Sequence, residues 1–347
     1  MELKIGNLIA KLPIIQGGMG VGVSLSNLAG NVAKYGAIGV ISAAHPGYLE
    51  NDFEKNTLQA NLRALKNHIR KAKDISNNGI IGVNIMVAMK NYKELVEASI
   101  EGGADLIISG AGLPLKLPEY TKNSEIKILP IVSSSKATKL ILSYWKKHYN
   151  RIADGIIVEG PEAGGHLGFK ADTLDNDIIK FDDNVKDIIE TVKQLEFEYK
   201  KEIPVIVAGG VFDSNDIKKY MELGAKGVQI GSRFVATYEC DVDMKFKEAY
   251  LNCNKSDIKI VKSPVGMPGR AINNEFLRKI NNETNKISKC YNCLVPCNPS
   301  TTPYCISEAL INAARGDINN GLIFCGANAY RINKIMLVKD LLDELIV

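Results

Sequence analysis

PVIVAGGVFDSNDIKKYMELGAKGVQIGSRF, residues 204–234, reads as one complete strand, helix and strand. An apolar run from Val205 ends in Gly209 and Gly210. Asp213 or Ser214 can cap a helix that carries Ile217 and Met221, and a second apolar run opens at Gly227. Hydrophobicity is continuous along both runs rather than alternating. That marks strands covered on both faces, as a parallel sheet between helices requires.

The same unit recurs along the chain. Further runs are PIIQGG from Pro13, IGVISA from Ile38, GVNIMV from Gly82, LIISGAG from Leu106, LPIVSS from Leu129 and GIIVEG from Gly155, which makes eight in all. Helical patterns separate them. One is Ser135 to Tyr149, where Ala137, Leu140, Ile141, Tyr144 and Trp145 make an apolar stripe. Eight units in about 240 residues predict a closed (β/α)₈ TIM barrel, which needs roughly 250, with an open doubly wound sheet as the alternative. After Thr237 the repeat stops. The predicted organisation is a barrel over residues 1–255 and a mostly helical C-terminal extension over 256–347, packed near the barrel mouth.

Composition narrows the function classes. The 347 residues are 46% hydrophobic and 24% charged, and 43 basic against 39 acidic side chains carry no long run of one sign. This predicts a folded chain with a mixed surface, without a nucleic-acid partner. No leader pattern opens the sequence and no apolar run reaches eighteen residues, so the expected location is the cytoplasm, with no membrane partner.

Barrel active sites are built from the loops that follow the strands, and phosphate commonly sits on those after strands seven and eight. Here these are AGGVFDSND and GSRFVAT. Gly209 and Gly210 let amides approach an anion ahead of a helix N-terminus, and Gly231 and Ser232 offer donors opposite. Either loop alone is explained by the turn from strand to helix; the pair at these two positions favours a phosphate. No GxGxxG opening a helix after a strand and no Walker sequence competes. QGGM (Gln16 to Met19) can lay backbone against a flat ring, and Asn84 can hydrogen-bond its edge. These features suit flavin mononucleotide (FMN).

PIIQGGMG, GVNIMV, EGPEAGGHLG, PVIVAGGV and GAKGVQIGSRFVAT, in this order between Pro13 and about Glu239, together resemble the nitronate monooxygenase (2-nitropropane dioxygenase) family and its relative, the flavin-dependent enoyl-acyl carrier protein reductase; SPVGMPGRAI is a further family element. The resemblance implies an FMN-binding barrel and an oxidoreductase that uses oxygen to turn alkyl nitronates into carbonyl compounds and nitrite. It implies FMN contacts at Gly18, Met19, Asn84, Glu159, Gly164, Gly210, Gln229, Ile230, Gly231 and Ser232, and a catalytic role for His166. Many nitronate oxidisers carry Gln where this chain has Glu159, as the enoyl reductases tend to. NAD(P)H-dependent reduction of an enoyl thioester is therefore the alternative, and a flavin protein without turnover is a third. The expected partners are a small-molecule substrate and oxygen, with a homodimer left open.

His166 stands among Gly164, Gly165 and Gly168, which on this reading clear the path of the flavin and hold the imidazole where it can accept a proton or hold an anion. His68 and His148 lie in polar helix patterns and read as solvated. His45 follows strand two and reads as a turn residue before Pro46. Seven cysteines do not suggest a secreted disulfide framework. Four of them, Cys290, Cys293, Cys297 and Cys305, fall at intervals of two, three and seven residues. They can hold an iron–sulfur cluster or zinc, or pack reduced in a small lid, and the spacing leaves both open.

Overall fold

The computed structural model describes residues 2–264, 266–280, 287 and 289–346. Its centre is a (β/α)₈ barrel of eight parallel strands: β1 (Ile14–Gln16), β2 (Gly39–Ser42), β3 (Ile81–Met86), β4 (Leu106–Gly110), β5 (Lys127–Val132), β6 (Ile156–Glu159), β7 (Val205–Ala208) and β8 (Gly227–Ile230). Each overlaps one of the eight apolar runs, with β3 beginning one residue and β5 two residues ahead of theirs. β8 pairs with β1. The β1/β2 seam is stitched by Gln16 N donating to Ile38 O at 2.9 Å, Ile38 N to Ile14 O at 3.0 Å, and Val40 N to the Gln16 side-chain Oε1 at 3.0 Å.

Successive residues on each strand feed two separate cores. Ile15, Val40, Ile108, Leu129, Ile157 and Ile206 point into the barrel, where Leu3, Ile5 and Ala10 of an N-terminal hairpin join them. Gly6 in that hairpin abuts Lys127 and Asp154, so the plug sits at the N-terminal ends of the strands. Ile14, Ile41, Val83, Ile107, Val158 and Val228 face outward onto the helices. Burial on both sides is what makes the runs continuously apolar.

Local signals set the helices. Ser214–Glu222 opens with the capping box of Asp213 and Asp216. Ser135–Tyr149 is a helix capped by Ser134, and Trp145 is buried with its Nε1 donating to Pro114 O at 3.0 Å. Its stripe is narrower than predicted: Leu140 is exposed, and Thr138 and Leu142 are buried in addition to Ile141 and Trp145. None of the described helices is long and apolar enough to cross a membrane.

The extension contains the helices Ile306–Ala314 and Val338–Leu345 but opens with a hairpin that the sequence did not suggest: β9 (Ile258–Lys262) and β10 (Pro268–Ile272). β9 has no buried face, so it carries no apolar period to read. β10 pairs on its other side with Gly165–His166 of the loop after β6.

Asp241, after β8, ties the barrel's last turn to its first helix. The Asp241 carboxylate accepts from Leu25 N at 2.9 Å, Asn27 N at 3.1 Å and Leu28 N at 3.0 Å, and so caps the helix Ser26–Lys34 from outside its own segment. Asp241→Ala leaves these donors unpaired and is expected to cost about 1–3 kcal/mol of unfolding free energy, measured by urea denaturation. A wild-type midpoint would show that the cap carries no stability.

Candidate active site

At the C-terminal ends of the strands lies a cavity of about 440 Å³. Its wall contains Gly18, Met19, Asn84, Glu159, Gly164, His166, Gly210, Gln229, Gly231 and Ser232, so ten of the eleven barrel positions singled out in the sequence meet around one space. Ile230 does not line it. Its side chain is buried in the outer core and its carbonyl accepts from Gly17 N at 2.8 Å.

The loop after β1 is folded by Ser24, whose hydroxyl accepts from Met19 N at 3.0 Å and from Gln16 Nε2 at 2.9 Å. Gln16 is therefore a structural residue of the seam. Gly18 crosses directly over β3: a Cβ there would lie 2.5 Å from Asn84 Cβ and 2.9 Å from Val40 Cγ1, so only glycine fits.

The two loops that sequence reading paired are closed over by a segment it missed, Phe324 to Asn328. Gly326 N donates to Ser232 Oγ at 2.9 Å and Asn328 Nδ2 to Gly210 O at 2.8 Å. The same segment explains Gly164, whose Cβ would sit 2.7 Å from the Cys325 carbonyl carbon and from Gly326 N. What requires glycine here is the backbone of the extension. Phe324, Gly326 and Asn328 all line the cavity, and the only local signal for them was a small-residue stretch, CGAN.

His166 is half-buried in the wall. Its Nε2 is hydrogen-bonded to Ser263 Oγ at 2.7 Å, and the Phe324 ring meets it edge-on at 5.2 Å. Burial pushes the imidazole down to about 4, so it is neutral at neutral pH. Glu159 ends β6 at the base of the cavity, and burial pushes its carboxyl up to about 7. The described lining contains no Lys or Arg. Gln229 Oε1, two strands from Glu159, is buried without a hydrogen-bond partner among the described residues. It is an acceptor waiting for a donor from a bound molecule. On the side of β3 to β5 the wall is apolar, made by Met86, Met89, Leu113, Ile131 and Val132.

The other histidines lie elsewhere. His45 is buried, with Nε2 on Ser307 Oγ at 2.7 Å and Nδ1 on Asn61 Nδ2 at 3.2 Å, and it lines a smaller cavity beneath the cysteine segment. His68 is half-buried and bonded to Ser26 Oγ at 3.0 Å, not solvated, because its helix packs on Ser26–Lys34. His148 is exposed and stacks on Tyr144.

Among the described residues no three His, Cys, Asp or Glu side chains gather to hold a metal. Cys290 is exposed, Cys293 is hydrogen-bonded with Ser307, and burial pushes the Cys293, Cys297 and Cys305 thiols up.

The profile of the nitronate monooxygenase family matches residues 2–347. A probable nitronate monooxygenase of Staphylococcus saprophyticus is 26% identical over 310 residues, covering 81% of each chain. The (3aS,4S,5R,7aS)-5-hydroxy-7a-methyl-1-oxo-octahydro-1H-indene-4-carboxyl-CoA dehydrogenase of Rhodococcus jostii is 25% identical over 273 residues, which span 79% of this chain and 66% of that protein. Among solved structures, FabK of Thermotoga maritima superposes with a TM-score of 0.70 at 25% identity over 97% of this chain and 92% of its own. The nitroalkane oxidase of Streptomyces ansochromogenes shares the fold, with a TM-score of 0.73 at 18% identity over 97% and 95%.

Glu159 links the site to stability. Its carboxyl titrates near 7 in the folded chain against 4.5 ordinarily, so the native state holds the proton more tightly. The group's contribution is therefore greatest below about 4.5 and falls as pH rises through about 7. Glu159→Gln removes this titration. It is expected to raise the unfolding free energy of ligand-free protein by about 2–3 kcal/mol at pH 8, with little change at pH 4.5. Equal urea midpoints for both proteins at pH 8 would refute the assignment.

Proposed function

Since the chain belongs to the nitronate monooxygenase family and is an oxidoreductase, we propose that it binds FMN and oxidises alkyl nitronates with oxygen to carbonyl compounds and nitrite. The observation that carries this reading is a neutral, half-buried His166 in the wall of the same cavity that the paired glycine loops bound.

The residues present fit the cofactor. Gly18, Met19, Asn84, Glu159 and Gln229 would hold the ring, and Gln229 Oε1 would gain the partner it lacks. Gly210, Gly231 and Ser232 would hold the phosphate through amides and a hydroxyl, as a site without Lys or Arg demands. FMN, when bound, supplies the redox chemistry. The chain's own contribution is acid–base and steric. The Cα–H bond of a neutral nitroalkane breaks, its proton passes to the imidazole, and its electron pair enters the C=N bond of the nitronate. Phe324 and the segment behind it shield that proton transfer from water.

A second reading, NAD(P)H-dependent reduction of an enoyl thioester, draws on Glu159 at the end of β6 and on the apolar wall of Met86, Met89, Leu113, Ile131 and Val132, which suits an acyl chain. Oxygen uptake and nitrite release with propionate-3-nitronate, measured beside NADH consumption with a crotonyl thioester, separate the two. Heat-released cofactor identified as FAD, or protein that takes up no FMN, would defeat both.

His166→Asn is expected to keep FMN and to lose about 10² to 10⁴ in kcat/KM on neutral nitroalkanes, with a smaller loss on nitronates, which arrive deprotonated. The wild-type imidazole must be neutral to accept the proton, so nitroalkane turnover should hold through neutral pH and fall as pH drops towards about 4. Unchanged rates on both substrates in the Asn variant would remove His166 from the mechanism.

A further inference from the structure

The hairpin β9/β10 does more than cover the cavity. Its tip is a tight turn in which Ser263 N donates to Met267 O at 3.3 Å and Gly266 N to Ser263 O at 3.1 Å. β10 then pairs with the loop that carries His166, placing Gly269 opposite His166 and Arg270 opposite Gly165, and Leu167 N donates to Pro268 O at 2.8 Å. The buried Arg270 guanidinium donates to Pro161 O at 2.9 Å and to Ala163 O at 2.5 Å. The loop is thus pinned on both sides of the histidine. Rotation of the imidazole is the freedom that remains, and Ser263 Oγ at 2.7 Å is the polar group that stops it.

Resting on the reading of His166 as proton acceptor, we propose that Ser263 is the positioning residue of the reaction: its hydroxyl accepts from Nε2–H of His166, fixes that tautomer, and leaves the lone pair of Nδ1 for the substrate proton. A serine hydroxyl can pair with either tautomer of the neutral imidazole; with Nε2–H donating to it, the lone pair of Nδ1 is what remains for the substrate proton. Ser263 is itself buried, 3% exposed, so no solvent competes for the bond. A misplaced base costs about 10²-fold, because proton transfer needs near-contact geometry.

The test uses the FMN-loaded full chain. Ser263→Ala is expected to lose about 10²-fold in kcat/KM on a neutral nitroalkane, exceeding its loss on the matching nitronate at least about tenfold, while Ser263→Thr, which restores a hydroxyl, recovers most of it. The Ala effect should disappear in a His166→Asn background, since the two residues act as one unit. Nitrogen-15 spectra of the wild-type imidazole should show the proton on Nε2, with tautomer exchange appearing in Ser263→Ala. If the Ala variant does not retain FMN, Ser263→Cys, similar in size and a weaker hydrogen-bonding group, is measured instead, with an intermediate loss expected. Wild-type nitroalkane turnover in the Ala or Cys variant while His166→Asn is inactive overturns the positioning role and leaves the function standing. Full activity of His166→Asn overturns the function itself.

Discussion

A loop rich in glycine, sunk into the mouth of a barrel, brings its amides and carbonyls out of water and must find each of them a partner. Around residues 160–167 that demand is met almost entirely by the extension. β10 supplies a strand edge to Gly165 and His166, Arg270 supplies donors to Pro161 and Ala163, and Ala327 N donates to Glu162 O at 3.0 Å. Cys325 N in turn donates to Arg270 O at 3.0 Å, so the two layers of the extension are bound to each other as well as to the loop. The position of the histidine, the shape of the cavity and the need for glycine at 164 all follow from this pairing.

Electrostatics follow from the same burial. A wall without Lys or Arg, holding a neutral imidazole and the carboxyls of Glu159 and Glu162, both raised by burial, offers no positive charge at neutral pH. The cations at the β7 loop are both engaged: Arg331 is paired with Asp213 at 2.7 Å and stacked on Phe212, and Arg233 donates to Phe212 O at 2.9 Å. Any anion in the cavity must rely on amides, hydroxyls and helix ends, so the glycine loops are an electrostatic requirement as much as a steric one.

What the sequence made legible is what is local. Eight apolar runs gave eight strands because each strand is buried on both faces, and Asp213 announced its helix through a capping box. Gly18 and Ser232 were readable because they follow strands, and strand ends meet in a barrel; Asn84, read at a strand end, lies within β3, and Glu159 and Gln229 came only with the family resemblance. Ser263, Arg270 and Asn328 were not, because each acts on a residue about a hundred positions away, 97 between His166 and Ser263 and 118 between Gly210 and Asn328. Cysteine spacing left two readings open because it records order along the chain; the partner that Cys293 finds is Ser307, to which that spacing did not point.

The hairpin β9/β10 also decides when the molecule becomes competent. The groups of the extension that fix the histidine loop lie C-terminal to β8, so a ribosome adding about 5–20 residues per second delivers all eight strands before it delivers Ser263, Arg270 or Phe324. The strands that make both cores are thus complete in the chain before the pairing of β10 can cover the mouth. The residues that cover the cavity are the last of its wall to be made.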